Sequence, residues 1–294
     1  MCQSLYFIIK LGIKKGWREF MTQQEHMLKE KLIKIKDNNY LLEEDDQYFL
    51  CSLEMLENIG SLDPMLRDEL IYGILFQWIS KKKFTFEQLK KLLDISLDSS
   101  HIFYKLWEKD DKAVFKRSFS VLIVALIIYE HREENFLSEE TLYEVKNRLI
   151  EYMLREQDVR GYVEIEGWAH SAAHTADALD ELAQCNIFNK TDLMDILNSI
   201  KAKVCIGYYV YIEEESERMV TAIENSINRK LLSNLEIIEW LQGFTIDKSK
   251  GSYIENYHLK VNMKGFLRSL YFRFLDREDS ELIIDEIKKI LKKL

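Results

Sequence analysis

Leucine and isoleucine recur along this chain with a helical period, spaced by lysine and glutamate, and the pattern is almost never interrupted. Residues three and four apart share one helix face, so such a period writes an apolar stripe and a charged stripe on each segment. It predicts about a dozen helices, at roughly 22–36, 45–59, 64–80, 85–97, 99–108, 111–132, 138–156, 167–185, 191–206, 215–230, 233–243, 252–275 and 280–292. Strand signals are nearly absent. Tyr208-Tyr209-Val210-Tyr211-Ile212 has the propensity but stands alone, and one strand cannot make a sheet.

Start and stop residues support this segmentation. Asp63 before Pro64 is an N-cap followed by proline at the first helical position. Thr85 with Gln88 forms a capping box, and Ser138, Thr191 and Ser280 read as caps. Gly60 and Gly243 follow apolar runs and read as helix-ending residues.

Composition narrows the class. Ten glycines and one proline leave few breakers, and no Pro-, Gly- or Ser-rich linker divides the chain. The expected architecture is all-α, an α-α superhelix or HEAT-like array of antiparallel helix pairs, forming one domain over residues 21–294. Ile59-Gly60-Ser61-Leu62-Asp63-Pro64-Met65-Leu66-Arg67 resembles the entry to the second helix of a HEAT repeat. Residues 1–20 read as an extension outside the fold. Their apolar Leu5-Tyr6-Phe7-Ile8-Ile9 precedes Lys10, Lys14, Lys15 and Arg18, the reverse of a signal peptide. The longest apolar run, Phe119 to Tyr129, is too short to span a bilayer and reads as a buried core helix.

Charge and cysteine content exclude further classes. The net charge of −9 disfavours nucleic acid and anionic membranes as partners, DNA-binding helical arrays included. Cys2, Cys51, Cys185 and Cys205 form no C-x-x-C pair and read as buried free thiols of a cytoplasmic protein. There is no phosphate-cradling glycine loop and no G-x-S-x-G. The expected partner is a protein or peptide on the concave face of the array.

The chemistry concentrates in Gly167-Trp168-Ala169-His170-Ser171-Ala172-Ala173-His174-Thr175-Ala176-Asp177. On a helix, His170, His174, Asp177 and Glu181 share one face, while Trp168, Ala172, Ala176, Leu179 and Ala183 form the other. The preceding loop, Arg160 to Gly167, carries Glu164 and Glu166 and can fold back over the helix start. Three readings stand side by side. One is a polar seam between stacked helices. Another is a divalent-metal site of the two imidazoles and a carboxylate, with Glu164, Glu166 or Glu181 assisting. The third is a histidine general base oriented by Asp177. Ser171 stands where H-E-x-x-H has its glutamate, so a zinc peptidase is not supported.

Gly167-Trp168-Ala169-His170, Ala173-His174, Ala176-Asp177 and Leu179-Asp180-Glu181-Leu182 together resemble the signature of a bacterial family known as domain of unknown function 2785. Asp63-Pro64 to Tyr72 and Leu270-Tyr271-Phe272-Arg273 are similar to it as well, so the resemblance runs from about Leu28 to Leu294. It implies a helical fold, no assigned activity, and no established catalytic, cofactor or metal residue.

Two further features have plain structural readings. Lys260, Lys264 and Arg268 make a basic stripe that could grip an acidic group but reads as a solvated face, with Tyr253, Tyr257, Phe266, Leu270 and Phe274 toward the core. Glu213-Glu214-Glu215-Ser216-Glu217 reads as a helix start, where carboxylates favour the macrodipole.

Overall fold

A computed structural model describes residues 21–247 and 249–294; the extension expected at 1–20 lies outside the described residues. The fold is all-α. Among the described residues there are twelve α-helices: α1 (Gln23–Asp37), α2 (Asp45–Glu57), α3 (Gly73–Ser80), α4 (Phe86–Leu97), α5 (Ala113–Glu134), α6 (Glu139–Arg155), α7 (Ser171–Ala183), α8 (Lys190–Val204), α9 (Glu215–Asn228), α10 (Asn234–Gln242), α11 (Tyr253–Phe274) and α12 (Glu281–Lys293). A π-helical segment, Met65–Tyr72, runs directly into α3. The only strands among the described residues are β1 (Tyr162–Val163) and β2 (Gly167–Trp168), which pair with each other.

By its contacts the chain forms two units, one of residues up to 123 with 163–168, the other of 124–162 with 169–294. The border falls inside α5, so no linker marks it in the sequence. No described helix is long and apolar enough to cross a membrane. Val121, Ile123, Val124, Ile127 and Ile128 of α5 are fully buried, although Tyr129 at the end of the apolar run is half exposed.

In the first unit the π-helical segment packs on α1, and α2 packs on α4. Asp63 accepts from the Met65 backbone at 3.0 Å, the cap that the Asp-Pro pair predicts. Arg67 is fully buried here. Its guanidinium lies 4.4 Å from the Phe115 ring and 4.7 Å from that of Phe119. It donates to the carbonyls of Ser61 (2.8 Å) and Glu166 (2.7 Å) and pairs with Asp68 at 2.7 Å. Burial raises Asp68 to about 6, against the opposing effect of its Arg67 partner.

In the second unit α6 packs on α7 and α8, α7 on α8 and α9, α9 on α8 and α11, α11 on α8, and α12 on α10 and α11. The α7–α9 contact is the most extensive. Ala172, Ala173, Ala176, Leu179 and Ala183 of α7 are buried, as are Met219, Val220, Ile223 and Ile227 of α9. Small residues allow close backbone approach, and each large side chain so buried contributes about 1.5–3 kcal/mol.

Several expected elements differ. The stretch 99–108 is a series of turns, because Asp98 Oδ1 accepts from the Ser100 backbone and hydroxyl and lies 2.9 Å from His101 Nδ1. Asn189, not Thr191, caps α8, accepting from the backbones of Thr191 and Asp192. Ser280 holds the cap position of α12 but donates its hydroxyl to the carbonyls of Phe274 and Arg277. Neither Gly60 nor Gly243 adopts the left-handed backbone of a glycine helix stop. Tyr208–Ile212 is a loop held by Asn262 of α11, which donates to the carbonyls of Ile206 and Tyr209 and accepts from the Tyr211 backbone. Phe266, Leu270 and Phe274 face the core as expected, but Tyr253 and Tyr257 are exposed.

Candidate functional site

The histidine segment is shaped by pairing across the chain before it becomes helical. Gly167 and Trp168 are drawn into β2, so α7 starts at Ser171 and not at 167. The Ala169 backbone donates to the Gly161 carbonyl (2.8 Å) and that of His170 to the Arg160 carbonyl (2.9 Å). The Ser171 hydroxyl donates to the Asp158 carbonyl at 2.5 Å. The loop therefore does fold back over the helix start, through residues 158–161. Asp158 is itself held by the Arg160 side chain at 2.8 and 2.6 Å.

His170 occupies the N-cap position with a left-handed backbone (φ 44°, ψ 34°). For a residue with a Cβ this conformation carries strain of about 1–2 kcal/mol. In this conformation the imidazole is buried edge-on to His174, with ring centroids 5.8 Å apart. Burial, together with the Arg218 charge, lowers His170 to about 4, opposed by a hydrogen bond to the Glu213 backbone. It is therefore neutral at pH 7. His174, one turn on, is buried as well.

The acidic run 213–217 supplies the opposing wall. Glu214 caps α9 in another left-handed conformation (φ 65°), and Glu215, the first helical residue, is only 1% exposed. Its Oε2 accepts from the Glu213 backbone at 2.9 Å, and its Oε1 lies 4.0 Å from His170 Nε2. Glu215 Oε1 and Glu213 Oε2 are buried without a hydrogen-bond donor among the described residues. Both crowd the space over Gly161, where a Cβ would sit 2.4 Å from Glu213 Oε2 and 2.8 Å from Glu215 Oε1. Burial and the neighbouring Glu213 raise the Glu215 carboxyl. A proton shared between the two would satisfy both oxygens.

Beside this pair stands Tyr209, hydrogen-bonded to the Gly161 backbone. Lys203 is lowered to about 8 by burial and donates to the Glu156 carbonyl at 2.5 Å. Glu156 is bonded in turn by the Tyr152 hydroxyl and the Asp158 backbone, each at 2.9 Å.

The carboxylates expected to assist the histidines are engaged elsewhere. Arg218 of α9 grips Asp177 with two nitrogens, one of them at 2.5 Å. Asp180 accepts from Asn225 of α9 at 2.7 Å. Glu181 pairs with Arg132 of α5, which also donates to Gln184 at 2.8 Å. Glu164, Glu166 and Trp168 belong to the first unit. There Glu164 and Trp168 are exposed, and the Glu166 carbonyl accepts from Arg67. Among the described residues no group of three or more His, Cys, Asp or Glu side chains is disposed to hold a metal ion. Glu213, Glu215, Gly161, Arg132 and Arg218 were not legible as members of this cluster. The sole sequence signal was an acidic run longer than a helix start requires. Of the cysteines, Cys51 and Cys185 are buried free thiols and Cys205 is partly buried and free; burial pushes Cys185 and Cys205 up to about 11, and Cys2 lies outside the described residues.

A family model described as "Protein of unknown function (DUF2785)" matches residues 102–272. The match covers the α7 segment and Leu270-Tyr271-Phe272 but not Asp63–Tyr72, and so is narrower than the resemblance implies. No curated protein and no solved structure matches the chain.

Proposed function

The chain belongs to the DUF2785 family of proteins of unknown function, and we propose that it is a helical binding protein in which α7 is a polar seam. One observation carries this reading: Asp177, Asp180 and Glu181 each bond a side chain of a neighbouring helix, respectively Arg218, Asn225 and Arg132. A carboxylate so engaged is poorly placed to ligate a metal or orient a base. The protein is then a cytoplasmic, HEAT-like array of bacterial type whose inner face takes a protein or peptide. The net charge of −9 argues against nucleic acid.

A charge swap tests the seam. Asp177→Arg and Arg218→Asp should each lower the unfolding midpoint, and the double variant should recover much of the loss. Additive losses with no recovery would remove the seam reading.

A second reading is favoured by Glu213 Oε2 and Glu215 Oε1, which are buried without a donor. A divalent cation could replace the proton between these two carboxylates. Calorimetric titration of untagged protein with zinc, manganese and nickel tests it. Stoichiometric binding abolished by Glu215→Gln would support it, and no binding heat would remove it.

A further inference from the structure

We infer that the cavity between α10, α11 and α12 binds a long-chain carboxylate. The inference does not depend on α7 and goes beyond the seam reading. The cavity measures about 880 Å³, a size suited to one small amphiphile. Its wall is mixed, with Phe244, Ile246, Tyr253, Tyr257 and Ile290 facing polar groups across the lining. Tyr253 and Tyr257, on consecutive turns of α11, are 86% and 53% exposed and line this space. Their exposure departs from the core-facing pattern of the rest of that helix, whose Phe266, Leu270 and Phe274 are buried.

The polar groups set the sign of the ligand. Lys260 of α11 and Lys293 of α12 both line the cavity, and neither makes a hydrogen bond or ion pair among the described residues. The one acidic side chain in the lining, Glu286, is already compensated. Its two oxygens accept from Gln242 and Lys289, each at 3.1 Å, and Lys293 acts on it only at longer range. Two ammonium groups without a hydrogen bond or ion pair among the described residues, beside exposed tyrosine rings, match an anion with a hydrocarbon tail. With Glu286 counted, the lining side chains Lys260, Lys293 and Glu286 carry a net charge of +1, which matches a singly charged carboxylate head better than a dianionic phosphate. The ammonium groups would hold the head while the chain lies against Tyr253, Tyr257 and Ile246.

Isothermal titration of the full chain with monomeric hexadecanoate tests this. The expected result is one site of micromolar affinity, with hexadecanol and hexadecyltrimethylammonium at least tenfold weaker and hexadecyl phosphate no tighter. The double variant Lys260→Gln, Lys293→Gln should weaken hexadecanoate at least tenfold and leave the alcohol unchanged. Thr245→Trp, at an exposed position on the rim, should block all tails. Circular dichroism should show every variant folded. Absence of hexadecanoate binding, equal binding of the alcohol or the cation, tighter binding of the phosphate, or indifference to the lysine changes would each overturn the inference.

Discussion

Two buried polar clusters, one in each unit, solve the same problem in opposite ways. Around Arg67 the charges close on each other: two carbonyls accept from the guanidinium, two phenylalanine rings cover its faces, and Nε meets Asp68 Oδ1 as an ion pair at 2.7 Å, without hydrogen-bond geometry. Around Glu215 one oxygen is bonded, while the other and its neighbour on Glu213 have no donor among the described residues. The Arg67 cluster carries no strained backbone at the arginine, whereas His170 and Glu214 both hold left-handed conformations. Buried polarity by itself therefore does not mark a site. Two buried carboxylates side by side, together with local strain, do, because the fold maintains both at a cost.

The largest effect should come from the closed cluster. Arg67→Ala leaves the half-buried Asp68 and the Ser61 and Glu166 carbonyls without their partner and empties the space between the two rings, and should cost about 3–5 kcal/mol in guanidinium unfolding. Removing both charges, as Arg67→Met with Asp68→Asn, should recover most of that. A loss under about 1 kcal/mol for the single variant would show that the cluster is not closed as described.

Next in size is the pH response of the strained cluster. His170 is lowered to about 4 in the folded protein against an ordinary value near 6.5. As pH falls below 6.5 the unfolded chain takes the proton and the folded one does not. Stability therefore declines between pH 6.5 and 4, by about 3 kcal/mol at most. Glu215, held raised, works the other way as it takes up its proton. The quantity to measure is accordingly the difference between wild type and His170→Asn, and parallel stability curves would contradict the account.

A smaller loss should follow from Gly161→Ala, whose Cβ meets both carboxylates. About 1–2 kcal/mol is expected from the overpacking. Combining it with Glu213→Ala should restore much of the difference; an additive pair would mean that the glycine serves some other contact. The smallest effect belongs to Asp177–Arg218. The pair is partly solvent-exposed at 25% and 44%, so a double-mutant cycle should give a coupling of about 0.5–1 kcal/mol.

Legibility in the sequence follows the range of the interactions. The Thr85–Gln88 box and the Asp63 cap act over two or three residues, and both form. The helical period carries most of the remaining elements, because each needs only its own apolar stripe. What was hidden depends on distant or competing partners. The α7 start moved to Ser171 because residues 167–170 pair with the stretch before them. Asn189 outcompeted Thr191 for a cap, and Asp98 turned the following residues away from helix. At the candidate site the two histidines were legible as a pair, since they lie one turn apart. Their carboxylate neighbours were not. Asp177 and Glu181 have the right spacing but are taken by arginines on other helices, while Glu215 reaches His170 only through tertiary packing.

The central claim is that the α7 carboxylates join helices and do not bind metal. The unfolding midpoint of wild type and Asp177→Asn, each with and without excess zinc, tests it most directly. The account predicts a lower midpoint for the variant and the same zinc response, or none, in both proteins. A zinc-induced rise of several degrees in wild type that disappears in the variant would contradict it.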